Sequence, residues 1–227
     1  MHDPLRTRLK VCCIASIEEA RLAIAHGADA IGLVGAMPSG PGPIPDELIA
    51  EIARTVPPPV ATFLLTSRVE AEDVVSHVRG AGVNTVQLVD AVGVETYAAL
   101  RRSLPQVRIV QVIHVQDDGA LEEARRVAEF VDALLLDSGR PNLAVKELGG
   151  TGRTHNWAIS RRIVETVERP VFLAGGITPG NVAEAIRTVR PYGIDLCSGV
   201  RVGGRLDAGK LGRLVGEMRD VDQQPSA

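Results

Sequence analysis

The sequence predicts an α/β fold: a single-domain (β/α)8 TIM barrel. Short β-branched runs alternate with amphipathic stretches of helical length from one end of the chain to the other. The strand-like runs are apolar almost throughout, the pattern of parallel strands covered on both faces. Eight such units follow one another at roughly 25-residue spacing, which suits a closed barrel. An open doubly wound sheet usually has fewer strands and a glycine fingerprint after the first, where this chain reads Ala15-Ser16.

The first strand covers 9–14 and leads into a helix over 17–26. Ser16 is its N-cap ahead of Glu18 and Glu19, and Gly27 is its stop. A strand at 30–34 precedes a helix at 46–55, which Pro45 opens. The strand at 60–65 pairs with a helix at 69–79 that ends in Gly80-Ala81-Gly82. The remaining units are 85–88 with 94–103, 108–115 with 119–130, 133–137 with 158–168, 171–174 with 181–189, and 194–197 with 208–219. No boundary divides residues 1–227, and the polar stretch 221–227 reads as a frayed tail. The long loops 37–45 and 138–156 follow strands, so they lie at the end of a barrel where active sites sit.

Composition excludes several classes of partner. A net charge of −3 gives no attraction to nucleic acid or to an anionic membrane. No apolar run has bilayer length, and no leader-like segment follows Met1. Three cysteines, two of them adjacent, make neither a disulfide framework nor a zinc-ligand spacing. The expectation is a cytoplasmic protein with free thiols and no zinc site, acting as a monomer or homodimer.

Strand alternation selects the candidate site residues. Lys10 and Cys12 share the inward face of the first strand, which turns Cys13 outward to pack under the helices. An inward lysine needs a buried partner, and in a closed barrel the eighth strand offers Asp195 on the matching face. A Lys10–Asp195 ion pair is therefore expected low in the barrel, with Cys12 and Cys197 above it on neighbouring strands; whether they can oxidise to a disulfide turns on a Cα separation below about 7 Å. By position alone, Cys12 reads equally as a small buried hydrophobe or as a thiol facing a substrate. Asp137 ends an otherwise apolar strand at the rim, where a carboxylate caps a turn or performs chemistry.

Three glycine-rich stretches point to a phosphorylated small-molecule ligand. Gly150 and Gly152 lie in the loop 149–154, Gly175 and Gly176 follow the seventh strand, and Ser198 and Gly199 follow the eighth. The last two loops form the usual phosphate site of barrels, where glycines let backbone amides approach the anion.

Together these stretches resemble the phosphoribosylanthranilate isomerase family of tryptophan biosynthesis, nearly end to end. The resemblance rests on Lys10-Val11-Cys12, Gln87-Leu88, Leu135-Leu136-Asp137-Ser138 and Gly149-Gly150-Thr151-Gly152-Arg153-Thr154 with Trp157. Leu173-Ala174-Gly175-Gly176 with Pro179 and Asn181-Val182, and Asp195 with Ser198-Gly199-Val200, complete it. It implies an Amadori rearrangement of an N-(5-phosphoribosyl) arylamine without metal or cofactor. Asp137 would be the general acid that opens the ribose ring, and Cys12 the general base that takes the C2 proton.

The departures from the family pattern cluster at the aryl end. Where the family carries an arginine that grips the anthranilate carboxylate, loop 38–45 has Pro41. Val89-Asp90 replaces His-Gly, Gln111 stands at a lysine-like position on the fifth strand, and Arg201 replaces an acid. Cys13 takes the place of a glycine and Cys197 that of a serine. Arg68, Arg140, Lys146 and Arg201 are the loop cations available as a substitute clamp. A paralogue acting on another phosphoribosyl amine or phosphosugar, and a non-catalytic phosphosugar binder, are the alternative readings.

Overall fold

Eight parallel strands close in chain order, the last pairing with the first. A computed structural model describes residues 6–139 and 156–223 of the chain. The strands are β1 (Arg8–Val11), β2 (Ala30–Val34), β3 (Ala61–Thr66), β4 (Thr85–Leu88), β5 (Arg108–His114), β6 (Ala133–Asp137), β7 (Val171–Leu173) and β8 (Gly193–Leu196). Between and after them run α1 (Ile17–Ala25), α2 (Asp46–Thr55), α3 (Ala71–Ala81), α4 (Val94–Ser103), α5 (Gly119–Ala128), α6 (Trp157–Thr166), α7 (Val182–Val189) and α8 (Ala208–Asp222).

The local signals work as the chemistry requires. Ser16 accepts a hydrogen bond from the Glu19 amide at the start of α1, and Gly82 closes α3 in the left-handed conformation at φ 64°. Helix α5 stops at Ala128, short of the expected 130, and the Phe130 ring stacks on Tyr97 of α4 at 5.5 Å. The expected tail is partly helix instead: α8 runs through Asp222, whose carboxylate accepts the Thr7 amide and hydroxyl at 3.1 and 2.9 Å. An unanticipated hairpin, β9 (Arg201–Val202) and β10 (Arg205–Leu206), follows β8. Gly203 and Gly204 have φ of 55° and 79°, the positive pair that a two-residue hairpin turn demands.

Two apolar layers hold the barrel. Outward residues such as Ile31, Leu64, Ile109 and Leu134 pack beneath the helices and are fully buried. Inward residues, among them Ala30, Phe63, Val110, Leu135 and Phe172, fill the interior. No helix among the described residues is long and apolar enough to cross a membrane.

Candidate active site

The strand alternation that fills the interior also aims polar groups upward. In the β1–β8 ladder Lys10 stands opposite Asp195, and their charged atoms lie 2.8 Å apart, with both side chains buried. The approach is ionic, off the directions of a well-formed hydrogen bond. Lys10 Nζ also sits 5.1 Å from the centre of the Phe63 ring. Burial pulls the Lys10 ammonium down, but the facing Asp195 carboxylate outweighs it and holds it above its ordinary value.

Above this pair, at the carboxyl ends of the strands, an open cavity is lined by Cys12, Gln87, Asp137, Gly175, Gly176, Cys197, Ser198 and Gly199. Val34, Met37, Ser39, Gly40, Pro41 and Leu65 wall one side of it. The described lining contains no arginine or lysine. Asp137 is buried, and one of its oxygens accepts the Ser138 amide at 2.7 Å. Burial raises its carboxyl, the Ser138 amide opposes this, and the Asp195 charge adds to it; the pKa is pushed up to about 6. Such a group carries a proton about half the time at pH 6 and about one-tenth of the time at pH 7.

Cys12 comes to the rim one residue past β1, its amide donating to Leu196 O at 2.7 Å. Gly32 of β2 makes its place: a Cβ there would stand 2.8 Å from Cys12 Sγ and 3.2 Å from Lys10 Nζ. This requirement was not read from the sequence, although an isolated glycine inside an apolar strand signals a close approach.

Cys13 departs from expectation. Its φ is 60°, so the alternation that would turn it outward ends there, and its side chain lies on the cavity wall with Cys12 and Cys197. A left-handed non-glycine residue costs about 1–2 kcal/mol, which explains why a glycine is the easier choice at this point. Contacts with the Cys12 and Cys197 thiols, together with burial, push the Cys13 thiol well up. Cys197 is drawn down by its hydrogen bond with Cys13, against its burial, with help from the Arg201 charge. All three thiols are free.

The two glycine loops after β7 and β8 fit against each other. Gly175 and Gly176 have φ of 82° and 65°, conformations that glycine adopts without strain. A Cβ on Gly199 would collide with the Ile177 carbonyl. Asn181 ties the first loop, donating to Gly176 O at 3.0 Å and accepting the Thr178 amide at 2.8 Å. Ser198 opens a 3-10 turn, Ser198–Val200. Gly150 and Gly152 lie outside the described residues.

Of the four candidate cations, Arg140 and Lys146 also lie outside the described residues. Arg201 is turned away from the cavity: its guanidinium grips Glu19 at 3.0 Å and donates to the carbonyls of Cys12 and Cys13. Arg68 reaches Asp46 at 3.3 Å, half exposed and apart from the lining. Gln111 faces outward, its amide nitrogen on Leu88 O and Asp90 O and its oxygen accepting the Tyr97 hydroxyl. Gln87, which the sequence shows only as part of a strand motif, has its Oε1 buried at the cavity with no partner among the described residues.

The family model for N-(5'phosphoribosyl)anthranilate (PRA) isomerase matches residues 9–217. An N-(5'-phosphoribosyl)anthranilate isomerase 2 of Methanosarcina mazei is 42% identical over 86% of this chain and 85% of its own length. An N-(5'-phosphoribosyl)anthranilate isomerase of Methanocella arvoryzae is 38% identical over 86% and 89%. The crystal structure of the Thermus thermophilus phosphoribosyl anthranilate isomerase superposes with a TM-score of 0.80 at 29% identity, covering 95% of this chain and all of that one. A further isomerase structure, solved with reduced 1-(o-carboxyphenylamino)-1-deoxyribulose 5-phosphate, gives 0.77 at 26% over 94% and 99%. The chain belongs to the N-(5'-phosphoribosyl)anthranilate isomerase family.

Proposed function

We propose that the chain converts N-(5'-phosphoribosyl)anthranilate to 1-(2-carboxyphenylamino)-1-deoxyribulose 5-phosphate, in tryptophan biosynthesis, by general acid–base catalysis. Asp137 gives its proton to the ribose ring oxygen, the C1–O bond breaks, and the anilino nitrogen's lone pair completes the iminium. The iminium acidifies the C2 proton, which Cys12 removes to leave an enol-amine that becomes the ketose. The observation that carries this reading is a buried carboxyl, raised to about 6 by burial, on the same cavity as a rim thiol.

Substrate phosphate goes to the amides around Gly175, Gly176, Ser198 and Gly199, with Gly150 and Gly152 as further phosphate-binding positions. With Arg201 engaged by Glu19 and Arg68 by Asp46, the anthranilate carboxylate falls to Arg140 or Lys146. Three free thiols fit a reducing cytoplasm, and we read the active form as a monomer or homodimer; solved relatives include monomers made from the dimeric Thermotoga maritima enzyme.

The test is a fluorescence assay following loss of the anthranilate adduct. Cys12→Ala and Asp137→Ala are each expected to lose about 10²–10⁴-fold in kcat. Unchanged turnover in both variants sinks the mechanism.

A further inference from the structure

Beyond the acid and the base, the rim itself is held by side chains that the reaction does not touch. The β1 ladder ends at Val11; the Cys12 amide then bonds Leu196 O of β8, and the Ile14 amide bonds Gly32 O of β2 at 3.0 Å. Between them lies the left-handed step at Cys13. Arg201 Nη2 donates to the Cys12 carbonyl at 3.1 Å and to the Cys13 carbonyl at 2.5 Å. One planar, permanently charged group thus fixes both peptide oxygens.

Arg201 is itself held through its two terminal nitrogens, while its buried Nε has no partner among the described residues. Its side chain is 8% exposed, and it bonds both Glu19 oxygens from 3.0 Å and Gly204 O at 3.0 Å. Glu19 in turn accepts the amides of Ala15 and Leu206 at 3.1 and 2.9 Å. The arginine directly follows the Ser198–Val200 turn, so it links the glycine loop after β8 to the rim of β1. On the other side of the rim, the Cys13 thiol donates to Pro41 O at 3.6 Å. Gly42, at φ 87°, packs so closely that a Cβ there would meet Cys13 Cβ at 2.6 Å. Pro41 belongs to a segment that lines the same cavity as the glycine loops.

We infer that Arg201 is a positioning residue for Cys12, and that Cys13 extends its hold to the 37–42 wall. Arg201 sets the peptide planes that present the thiol to the substrate. Cys13 sets the distance between that thiol and the wall facing the aryl group. The inference rests on the reading of Cys12 as the base.

The experiment is steady-state kinetics on N-(5'-phosphoribosyl)anthranilate, normalised to folded protein, with Cys12→Ala as control. Arg201→Lys keeps a charge for Glu19 but cannot serve both carbonyls; kcat is expected to fall about tenfold with KM within threefold, and Arg201→Met further, about a hundredfold. Cys13→Gly suits the backbone but loses Pro41; KM, and Kd for reduced 1-(o-carboxyphenylamino)-1-deoxyribulose 5-phosphate, are expected to rise about fivefold, while Kd for inorganic phosphate stays put. A destabilised Arg201→Lys enzyme with the parent kcat overturns the positioning role. Should both Arg201 variants fail to fold, Glu19→Gln decides: a loosened guanidinium lowers kcat about threefold, and an unchanged kcat overturns the role. Cys13→Gly with unchanged analogue binding overturns the wall contact. Full turnover by Cys12→Ala removes the base assignment and the positioning role with it, and analogue binding by Cys13→Gly still decides the wall contact.

Discussion

The two ends of this barrel use the same residue types for opposite purposes. At the lower end, Asp29, Asn84 and Asp132 each stand just before an even-numbered strand and accept an amide of the preceding odd one. Leu9 N reaches Asp29 at 2.9 Å, Thr62 N reaches Asn84 at 3.0 Å and Ile109 N reaches Asp132 at 2.8 Å. Asp29 also binds Arg6, and Asp132 binds Arg101. Burial would raise both carboxyls, but these donors outweigh it and hold them below the usual range. At the upper end Asp137 receives one short amide bond and no cation within salt-bridge reach among the described residues, and it stands raised to about 6. The lower end is satisfied and therefore stabilising; the upper end holds a raised carboxyl, the state that the proposed acid role of Asp137 requires.

Exchanging the two kinds of aspartate in turn is the sharpest way to break this contrast. Asp137→Asn is expected to lose about 10³-fold in kcat/KM, the general-acid contribution. It is also expected to be more stable than the parent at pH 7. A carboxyl raised in the folded state contributes fully below its unfolded pKa of about 3.9, and that contribution is lost as pH rises through about 6. Above that, the ionised form costs about 3 kcal/mol, which the amide avoids. Urea midpoints at pH 5 and pH 7.5 read it: a variant no more stable than the parent at pH 7.5 removes the argument that burial makes this group an acid.

Asp132→Ala should do the reverse. It leaves the buried Ile109 amide without its acceptor, for a loss of about 1–3 kcal/mol, while kcat stays within about twofold. Asp132 is held low in the folded state, so its contribution is present above the unfolded pKa of about 3.9 and lost as pH falls through its folded value. Parent and variant are therefore expected to converge in stability under acid. A kcat that falls with stability intact would mean that the lower end is not the purely structural one.

Gly32→Ala joins the two effects at one position. Its Cβ would press on Cys12 Sγ and the Cys12 backbone, so overpacking is expected to cost about 1–3 kcal/mol and to displace the thiol. A kcat about tenfold lower, with KM moved less, is the signature of a misplaced reacting group. A crystal structure of the variant showing Cys12 Sγ unmoved would leave only the packing cost.

What the sequence disclosed follows the same division. Strands such as Ala30–Val34 and Ala133–Asp137 were legible to the residue because breakers flank continuous apolar runs. The opposition of Lys10 and Asp195 followed from parity and closure alone, since a charge in a closed interior has few places to find a partner. Cys13 was misread because alternation assumes extended backbone, and a single left-handed residue ends it. Arg201 was offered as a clamp because its partner, Glu19, lies 182 positions away and only the fold brings them together. The hairpin after β8 had a signal, the Gly203-Gly204 pair, that went unused.

The smallest expected effect concerns the aryl end, where Arg68, a candidate clamp within the described residues, pairs with Asp46 at the start of α2. Its partner Asp46 also accepts from His77 at 3.1 Å, and its side chain is 41% exposed, so the pair is worth about 0–1 kcal/mol. Because Arg68 stands outside the described lining, Arg68→Ala is expected to leave kcat within about twofold and KM for the anthranilate adduct within about threefold. Removal of a bidentate carboxylate contact would instead cost about 1.5–3 kcal/mol, a rise in KM of tenfold or more. The two outcomes are far enough apart for one titration to separate them. A tenfold rise would bring Arg68 into the substrate site and require loop 37–45 to move when ligand binds; a flat response leaves the carboxylate to the cations of the 138–156 loop.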